Sequence, residues 1–277
     1  MHLDIVFPAH NEEGRIGRTL ERYRRAIPDA DVRFVVALDG CSDGTAEVVL
    51  AHRRADRRVH LLQLPKLGKG GALAEALRAC PAPLVGFVDA DGATPPAELV
   101  RLAQRVAADE ADVAIASRRL PASVTPAPRS LGRRLTSAGF AHAVQRLFDL
   151  PEHDTQCGAK VLHQAAARRI TPLLSSRDFL FDVDLLLAAH DLGLTVAEVP
   201  TVWVDQAGSK VDALRDARRM AVSALRLWFH RRVLPVEPTP VTVAHAPAPP
   251  LLDVGEVIDL TGHIDQDRRF DEHLVGA

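Results

Sequence analysis

Cysteine is scarce in this chain. Its three residues among 277, Cys41, Cys80 and Cys157, are odd in number and far apart, which excludes a disulfide framework and a zinc ribbon and makes a reducing cytoplasm the expected setting. Aromatic side chains make up only 4%, too few rings for a surface that stacks bases. A formal charge of -2 with 25% charged residues lacks the basic excess that marks nucleic-acid binders. No apolar run reaches the ~18 residues of a membrane span, and a strand begins at Leu3, so neither a signal peptide nor an integral segment is expected. Lysine is scarce as well: of 34 basic side chains only Lys66, Lys69, Lys160 and Lys210 are lysines. They stand in turn-like or strand-edge settings, where a compact ammonium fits and a planar guanidinium does not. Asn11 is the single asparagine.

What is present is alternation. Apolar runs at Leu3 to Phe7, Val32 to Leu38, Val59 to Leu64, Leu84 to Val88 and Asp112 to Ala116 read as strands. Helices are predicted from about Glu13 to Ala26, Gly44 to Arg54, Gly70 to Cys80 and Pro96 to Ala108. This is the pattern of an α/β doubly wound, mostly parallel sheet, within one main domain. Beyond Arg119 a proline-rich loop from Pro121 to Ser130 leads to a helix expected from about Leu131 to Phe148. A helix at Phe181 to His190, a strand at Thr195 to Val204 and a helix at Val211 to Leu234 follow. The last carries six arginines among Leu, Met, Trp and Phe, which suits either an anionic bilayer surface or packing on the domain with a solvated arginine face. Residues 235–277 are rich in proline and hold eight acids against two arginines; a disordered tail with a short partner-binding motif near Val254 to Leu260 is expected.

Each early strand ends in polar or turn chemistry: Pro8-Ala9-His10-Asn11-Glu12-Glu13, Asp39-Gly40-Cys41-Ser42-Asp43-Gly44-Thr45, Lys66-Leu67-Gly68-Lys69-Gly70-Gly71 and Asp89-Ala90-Asp91-Gly92-Ala93-Thr94. In a parallel sheet these loops leave one edge, where ligands bind. Two carboxylates one residue apart in a half-dry crevice need a cation, and a divalent metal that also holds substrate phosphates satisfies them. The competing reading makes Asp91 or Thr94 the cap of the helix starting at Pro96. Asp39 is placed to accept hydrogen bonds from a base or ribose, or to build a tight turn. Gly68, Gly70 and Gly71, with Lys66 or Lys69, predict an anion site at a helix start. The order is neither GxxxxGK[ST] nor GxGxxG, so a P-loop and a dinucleotide fold are excluded.

Together the loops containing His10-Asn11-Glu12, Asp39 to Thr45, Lys69 to Ala72 and Asp89 to Thr94 resemble the signature of inverting family 2 glycosyltransferases with the GT-A fold. Asp154-Thr155-Gln156-Cys157-Gly158-Ala159-Lys160, Phe181-Asp182-Val183-Asp184 and Gly208-Ser209-Lys210 narrow the resemblance to the polyprenyl-phosphate sugar synthases of the dolichyl-phosphate β-glucosyltransferase type, over roughly Leu3 to Leu234. The resemblance implies a metal-dependent hexosyltransferase with a nucleotide-sugar donor, UDP-glucose, a Mg²⁺ or Mn²⁺ cofactor and a polyprenyl phosphate acceptor. It implies a donor half at 1–117, an acceptor half at 118–210 and a basic helix at 211–234 peripheral to the inner face of a membrane. Transferred residue by residue, Pro8, Ala9, Glu12, Asp39, Gly40, Lys69 and Ala90 would line the donor. Asp89 and Asp91 would hold the metal and, with Arg118, act in catalysis, while Arg118, Arg133 and Lys210 would hold the acceptor phosphate. Two departures stand out: Leu38 occupies a place where the family usually has a second acid, and the membrane anchor of the glucosyl enzymes has no counterpart here. Rival readings keep the donor but use a soluble hydroxyl acceptor, make the chain a non-catalytic nucleotide-sugar binder, or make it a nucleotidyltransferase.

Overall fold

The computed structural model describes residues 1–125, 139, 142–204 and 213–233, with side chains in the last segment from 220 to 232. The strands are β1 (Leu3–Ala9), β2 (Val32–Asp39), β3 (Val59–Leu64), β4 (Leu84–Phe87), β5 (Val113–Ser117), β6 (Lys160–His163) and β7 (Val196–Pro200). They form one sheet in the order β3-β2-β1-β4-β6-β5-β7. All pairings are parallel except those of β6, which runs antiparallel between β4 and β5. The helices are α1 (Glu13–Ala26), α2 (Thr45–Ala55), α3 (Lys69–Ala79), α4 (Pro96–Ala107), α5 (142–148), α6 (Gln164–Ile170), α7 (Phe181–Asp191) and α8 (Ala213–Val233).

Side chains alternate across a strand, and here both faces are covered. Along β1, Leu3, Ile5 and Phe7 pack with Ile16, Leu20 and Tyr23 of α1 and Leu99 and Leu102 of α4. Val6 turns the other way, toward Leu73 and Leu77 of α3, Leu185 of α7 and Leu227 of α8. This double burial is why the strands read as unbroken apolar runs. Pro8 lies inside central β1 without breaking it. Val6 O accepts from Val88 N on the β4 side, so Pro8, two residues on, turns its missing N–H to the same side, where the pairing with β4 has already stopped at Val6↔Phe87. Proline is tolerated where no ladder partner remains.

Two expectations are corrected. Neither β6 nor α6 was anticipated, because a four-residue strand headed by a lysine has no period to read. The strand expected to reach Val204 stops at Pro200, since its partner β5 ends at Ser117; the chain continues only through an isolated Val124↔Val202 bridge. Of the helix expected from Leu131, 139 and 142–148 are described as helical, and Arg133, Lys210 and the tail lie outside the described residues.

α8 packs on the domain along one face. Ala224 and Leu227 are buried in the core with Met220 against it, and Arg231 donates from Nη2 to Asp184 Oδ1 at 2.6 Å and also pairs with Asp191. Asp184 is fully buried; its Oδ2 accepts from the N–H groups of Ser175 and Ser176, at 2.7 and 2.8 Å. Among the described residues no helix is long and apolar enough to cross a membrane, and the three cysteines are free. Removing one partner of a buried ion pair strands the other. Arg231→Ala is therefore expected to lower stability by about 3 kcal/mol and to speed amide exchange in α8; unchanged exchange there would show that the ion pair does not hold the helix.

Candidate active site

The strand ends at Ala9, Asp39, Leu64, Phe87 and Ser117 lie on one edge because their strands are parallel, and antiparallel β6 starts there, with Lys160 opposite Phe87. The Asp89-Ala90-Asp91 loop at this edge is held from behind by α1. Thr19 Oγ1 donates to Ala90 O (2.8 Å), Arg22 to Gly92 O (3.1 Å) and Tyr23 Oη to Thr94 O (2.9 Å). Positions 19, 22 and 23 share one helix face, so a single rigid element fixes three alternate carbonyls of the loop. Asp91 Oδ1 accepts the Ala93 N–H at 2.9 Å. The cap reading fails: α4 starts behind Pro95 with no side-chain cap, and the Thr94 hydroxyl is buried without a partner.

The first two loops are tied together by Asn11. Its φ of 56° is a left-handed conformation that asparagine tolerates better than most side chains, and its Oδ1 accepts the Ser42 N–H at 2.8 Å. Glu12 forms a two-point pair with Arg15, at 2.6 and 2.7 Å. Cys41 Sγ donates to Ala9 O at 3.4 Å. Asp39, expected to face a base or ribose, is buried, and its carboxylate organises the β3–α3 turn: Oδ1 accepts from the N–H groups of Leu67 and Gly68, at 2.5 and 3.1 Å, and Oδ2 from Lys66 at 2.9 Å. The glycines expected to form an anion site spend N–H groups on partners within the chain. Gly70 N–H donates to Arg177 O at 3.0 Å, and a Cβ at Gly68 would lie 2.4 Å from that same oxygen. Gly68 and Gly70 answer to close backbone packing against the segment before α7, and their N–H groups are taken by Asp39 and by Arg177 O respectively.

Asp89 and Asp91 differ in their surroundings. Lys69 Nζ lies 2.7 Å from Asp89 Oδ1 and 3.9 Å from Asp182 Oδ2. Asp182, at the start of α7, is held in turn by Lys160 at 2.5 Å, and Lys160 is fully buried with its ammonium also donating to Cys157 O at 2.8 Å. Gly158 packs on Asp89 so closely that a Cβ would fall 2.1 Å from Oδ2. Among the described residues no ammonium or guanidinium is bonded to Asp91. Burial, and after it the charge of Asp89, push its carboxyl above the usual range against the pull of the Ala93 N–H, as a desolvated acid beside another acid requires. Burial also raises the Cys157 thiol to about 12, so it is no thiolate nucleophile. Asp182, Lys160 and Gly158 stood inside sequence motifs without an assigned role. The signal that marked them was the rarity of lysine.

Arg118, at the end of β5, meets Asp154 in a fork: Nε donates to Oδ2 at 2.7 Å and Nη2 to Oδ1 at 2.8 Å. Its guanidinium lies over the Trp203 ring, 4.9 Å from the centroid. Burial opposes ionisation of Asp154, but the Arg118 hydrogen bonds outweigh it and hold the carboxyl below its ordinary value. A depressed carboxyl adds stability that is present above the unfolded pKa of ~3.9 and lost as the pH falls through the lower folded value. The stability gap between wild type and Asp154→Asn should thus be widest above about pH 5 and close toward about pH 2. A gap that urea titrations find constant over that range would exclude the pairing.

The comparisons with known proteins agree with this architecture. The family model for glycosyl transferase family 2 matches residues 4–171. Glycosyltransferase AglD of Haloferax volcanii is 31% identical over 282 residues, covering 96% of this chain but 44% of that protein. A dolichyl-phosphate beta-glucosyltransferase of Dictyostelium discoideum is 30% identical over 243 residues, covering 83% of this chain and 74% of that one. Among solved structures, glucosyl-3-phosphoglycerate synthase of Mycobacterium tuberculosis, in complex with Mn²⁺, UDP and glucosyl-3-phosphoglycerate, shares the fold with a TM-score of 0.62 at 19% identity, over 82% of this chain and 79% of that one. The sheet order, the acids at the mouth of β4 and the family match together place this chain in glycosyl transferase family 2.

Proposed function

We propose that this chain transfers glucose from UDP-glucose to a polyprenyl phosphate, with inversion, and that Asp89 and Asp91 hold a divalent cation for the leaving diphosphate. The observation that carries this reading is Asp91. It is a half-buried acid beside another acid, on the ligand edge of the sheet, with a raised pKa and, among the described residues, no lysine or arginine bonded to it. The donor set fits such an ion. Two hard carboxylate oxygens match Mg²⁺ or Mn²⁺ that completes its shell with phosphate oxygens and water, and among the described residues no group of three or more His, Cys, Asp or Glu could form an all-protein site. When bound, the ion would neutralise charge on the leaving diphosphate.

The acceptor class follows from what the other acids do. Glu12 is paired with Arg15, Asp39 with Lys66, Asp154 with Arg118 and Asp182 with Lys160, so four of the carboxylates near the edge that could serve as a general base are already bound to cations. A phosphate monoester, with a second pKa near ~6, is dianionic enough at neutral pH to attack without one. A hydroxyl acceptor would need that base. Arg118, with Arg133 and Lys210, would hold the phosphate in line with the departing diphosphate. Pro8, Ala9, Glu12, Asp39, Gly40, Lys69 and Ala90 would border the donor. The dolichyl-phosphate beta-glucosyltransferase named among the relatives supports this acceptor.

A lipid-linked acceptor also gives a role to the outward face of α8. Val222, Leu225 and Phe229 are exposed along it, and Phe179 is exposed beside Asp178, which pairs with Ser223 of α8. Arg232 stacks on Trp228, 4.3 Å from the ring centroid. Apolar and basic groups on one face suit the surface of an anionic bilayer. Replacing Leu225 and Phe229 together with glutamate should reduce co-sedimentation with anionic liposomes about tenfold or more, and equal binding by the two proteins would remove the membrane from this reading.

The defining assay is UDP release from UDP-glucose with polyprenyl phosphate and Mn²⁺. Asp91→Ala should lower turnover by about a thousandfold or more with the fold intact by circular dichroism, and wild-type turnover by that variant would refute the role of the acids. Transfer to a soluble hydroxyl with none to the lipid phosphate would replace the acceptor, and donor binding without UDP release would make the chain a binder.

A further inference from the structure

We infer that Lys69 is the resident counter-ion of Asp89 and makes divalent-cation binding at Asp89 and Asp91 conditional on a diphosphate, an inference that rests on the metal-dependent reading above. Four charged groups alternate in a row: Asp89, Lys69 at 2.7 Å, Asp182 at 3.9 Å from that ammonium, and Lys160 at 2.5 Å from Asp182. The far end of the row is fixed. Lys160 is fully buried and donates to both Asp182 and Cys157 O, so Asp182 has a permanent partner. The near end is confined as well, because Gly158 leaves Asp89 Oδ2 only the space of its absent Cβ.

Lys69 itself cannot drift away into solvent. It opens α3, and the backbone on either side is clamped to the segment before α7: Gly70 N–H bonds Arg177 O, and a Cβ at Gly70 would lie 2.5 Å from Ser176 O. What remains free is the ammonium, which has two carboxylates within reach and sits on the one proposed to hold the metal. A second cation arriving at Asp89 without an anion would be repelled by Lys69 at a few ångströms in a poorly solvated edge. Lys69 would have to surrender its shorter ion pair and keep only the longer contact to Asp182. A diphosphate changes that balance by offering the displaced ammonium new oxygen acceptors. Cation and nucleotide would then bind as one set, and by linkage each would raise the affinity of the other by the same factor.

The test is Mn²⁺ binding to the full chain, read by electron paramagnetic resonance of the free ion, with and without UDP. Wild type should bind Mn²⁺ about tenfold or more tightly when UDP is saturating. Lys69→Met should bind Mn²⁺ alone about tenfold more tightly than wild type and lose most of the coupling to UDP. Lys69→Gln, which keeps a hydrogen-bond donor without the charge, carries the same expectation should the methionine variant fail to fold. Variants whose Mn²⁺ affinity and UDP coupling equal those of wild type would overturn the role of Lys69 while leaving the metal site standing. A wild-type protein that takes up neither Mn²⁺ nor UDP under any order of addition would overturn the metal-dependent reading, and this inference with it.

Discussion

A carboxylate taken out of water must find a cation or surrender its charge, and that requirement organises the ligand edge of this sheet. Asp39, Asp89, Asp154 and Asp182 each have a lysine or arginine within hydrogen-bond distance. Among the described residues Asp91 does not. Three of the four lysines in the chain end on acids of this one edge, which gives the lysine scarcity a physical meaning: a compact ammonium fits there beside a carboxylate. The unmatched acid then stands out as the place where charge is to be supplied from outside.

The fold delivers these groups by two devices. Parallel strands bring the loops after β1, β2, β3, β4 and β5 to the same edge. Reversed β6 brings the start of a strand to that edge instead of its end, so Gly158 and Lys160 arrive beneath Asp89. Behind the loop, α1 uses Thr19, Arg22 and Tyr23 as three hydrogen-bond donors to its carbonyls. The acids are thus mounted on a helix and a strand, and a site built on rigid elements holds its geometry better than one left to a loop.

Much of this was legible in the sequence. The alternation of apolar runs with helical segments gave the parallel sheet, and the first three helices and strands lie within two residues of their expected ends, because double burial produces long unambiguous signals. The acids at the mouth of β4 were legible because charge after an apolar run is conspicuous. What could not be read was pairing. Nothing in the string says that Asp39 spends itself on the turn holding Leu67 and Gly68, that Arg118 meets Asp154 across 36 positions, or that Lys160 reaches Asp182 across 22. Such contacts are fixed by topology, and the topology hinged on a four-residue strand too short to declare itself. The glycines of the third loop show the same limit: their spacing pointed to an anion, whereas the space they leave is filled by Arg177 O and Ser176 O.

The placement of β6 also bears on where the chain can be divided. A boundary near residue 117 separates donor and acceptor halves on paper, yet β4 and β5 are not bonded to each other; both are bonded to β6. A fragment ending at Ser117 would carry β5 as an unattached ribbon and expose the whole flank of β4, the kind of bare edge that recruits other chains. The segments on either side of residue 117 are therefore a single mechanical unit, and grafting a foreign segment after that residue would succeed only if the graft brought its own reversed strand.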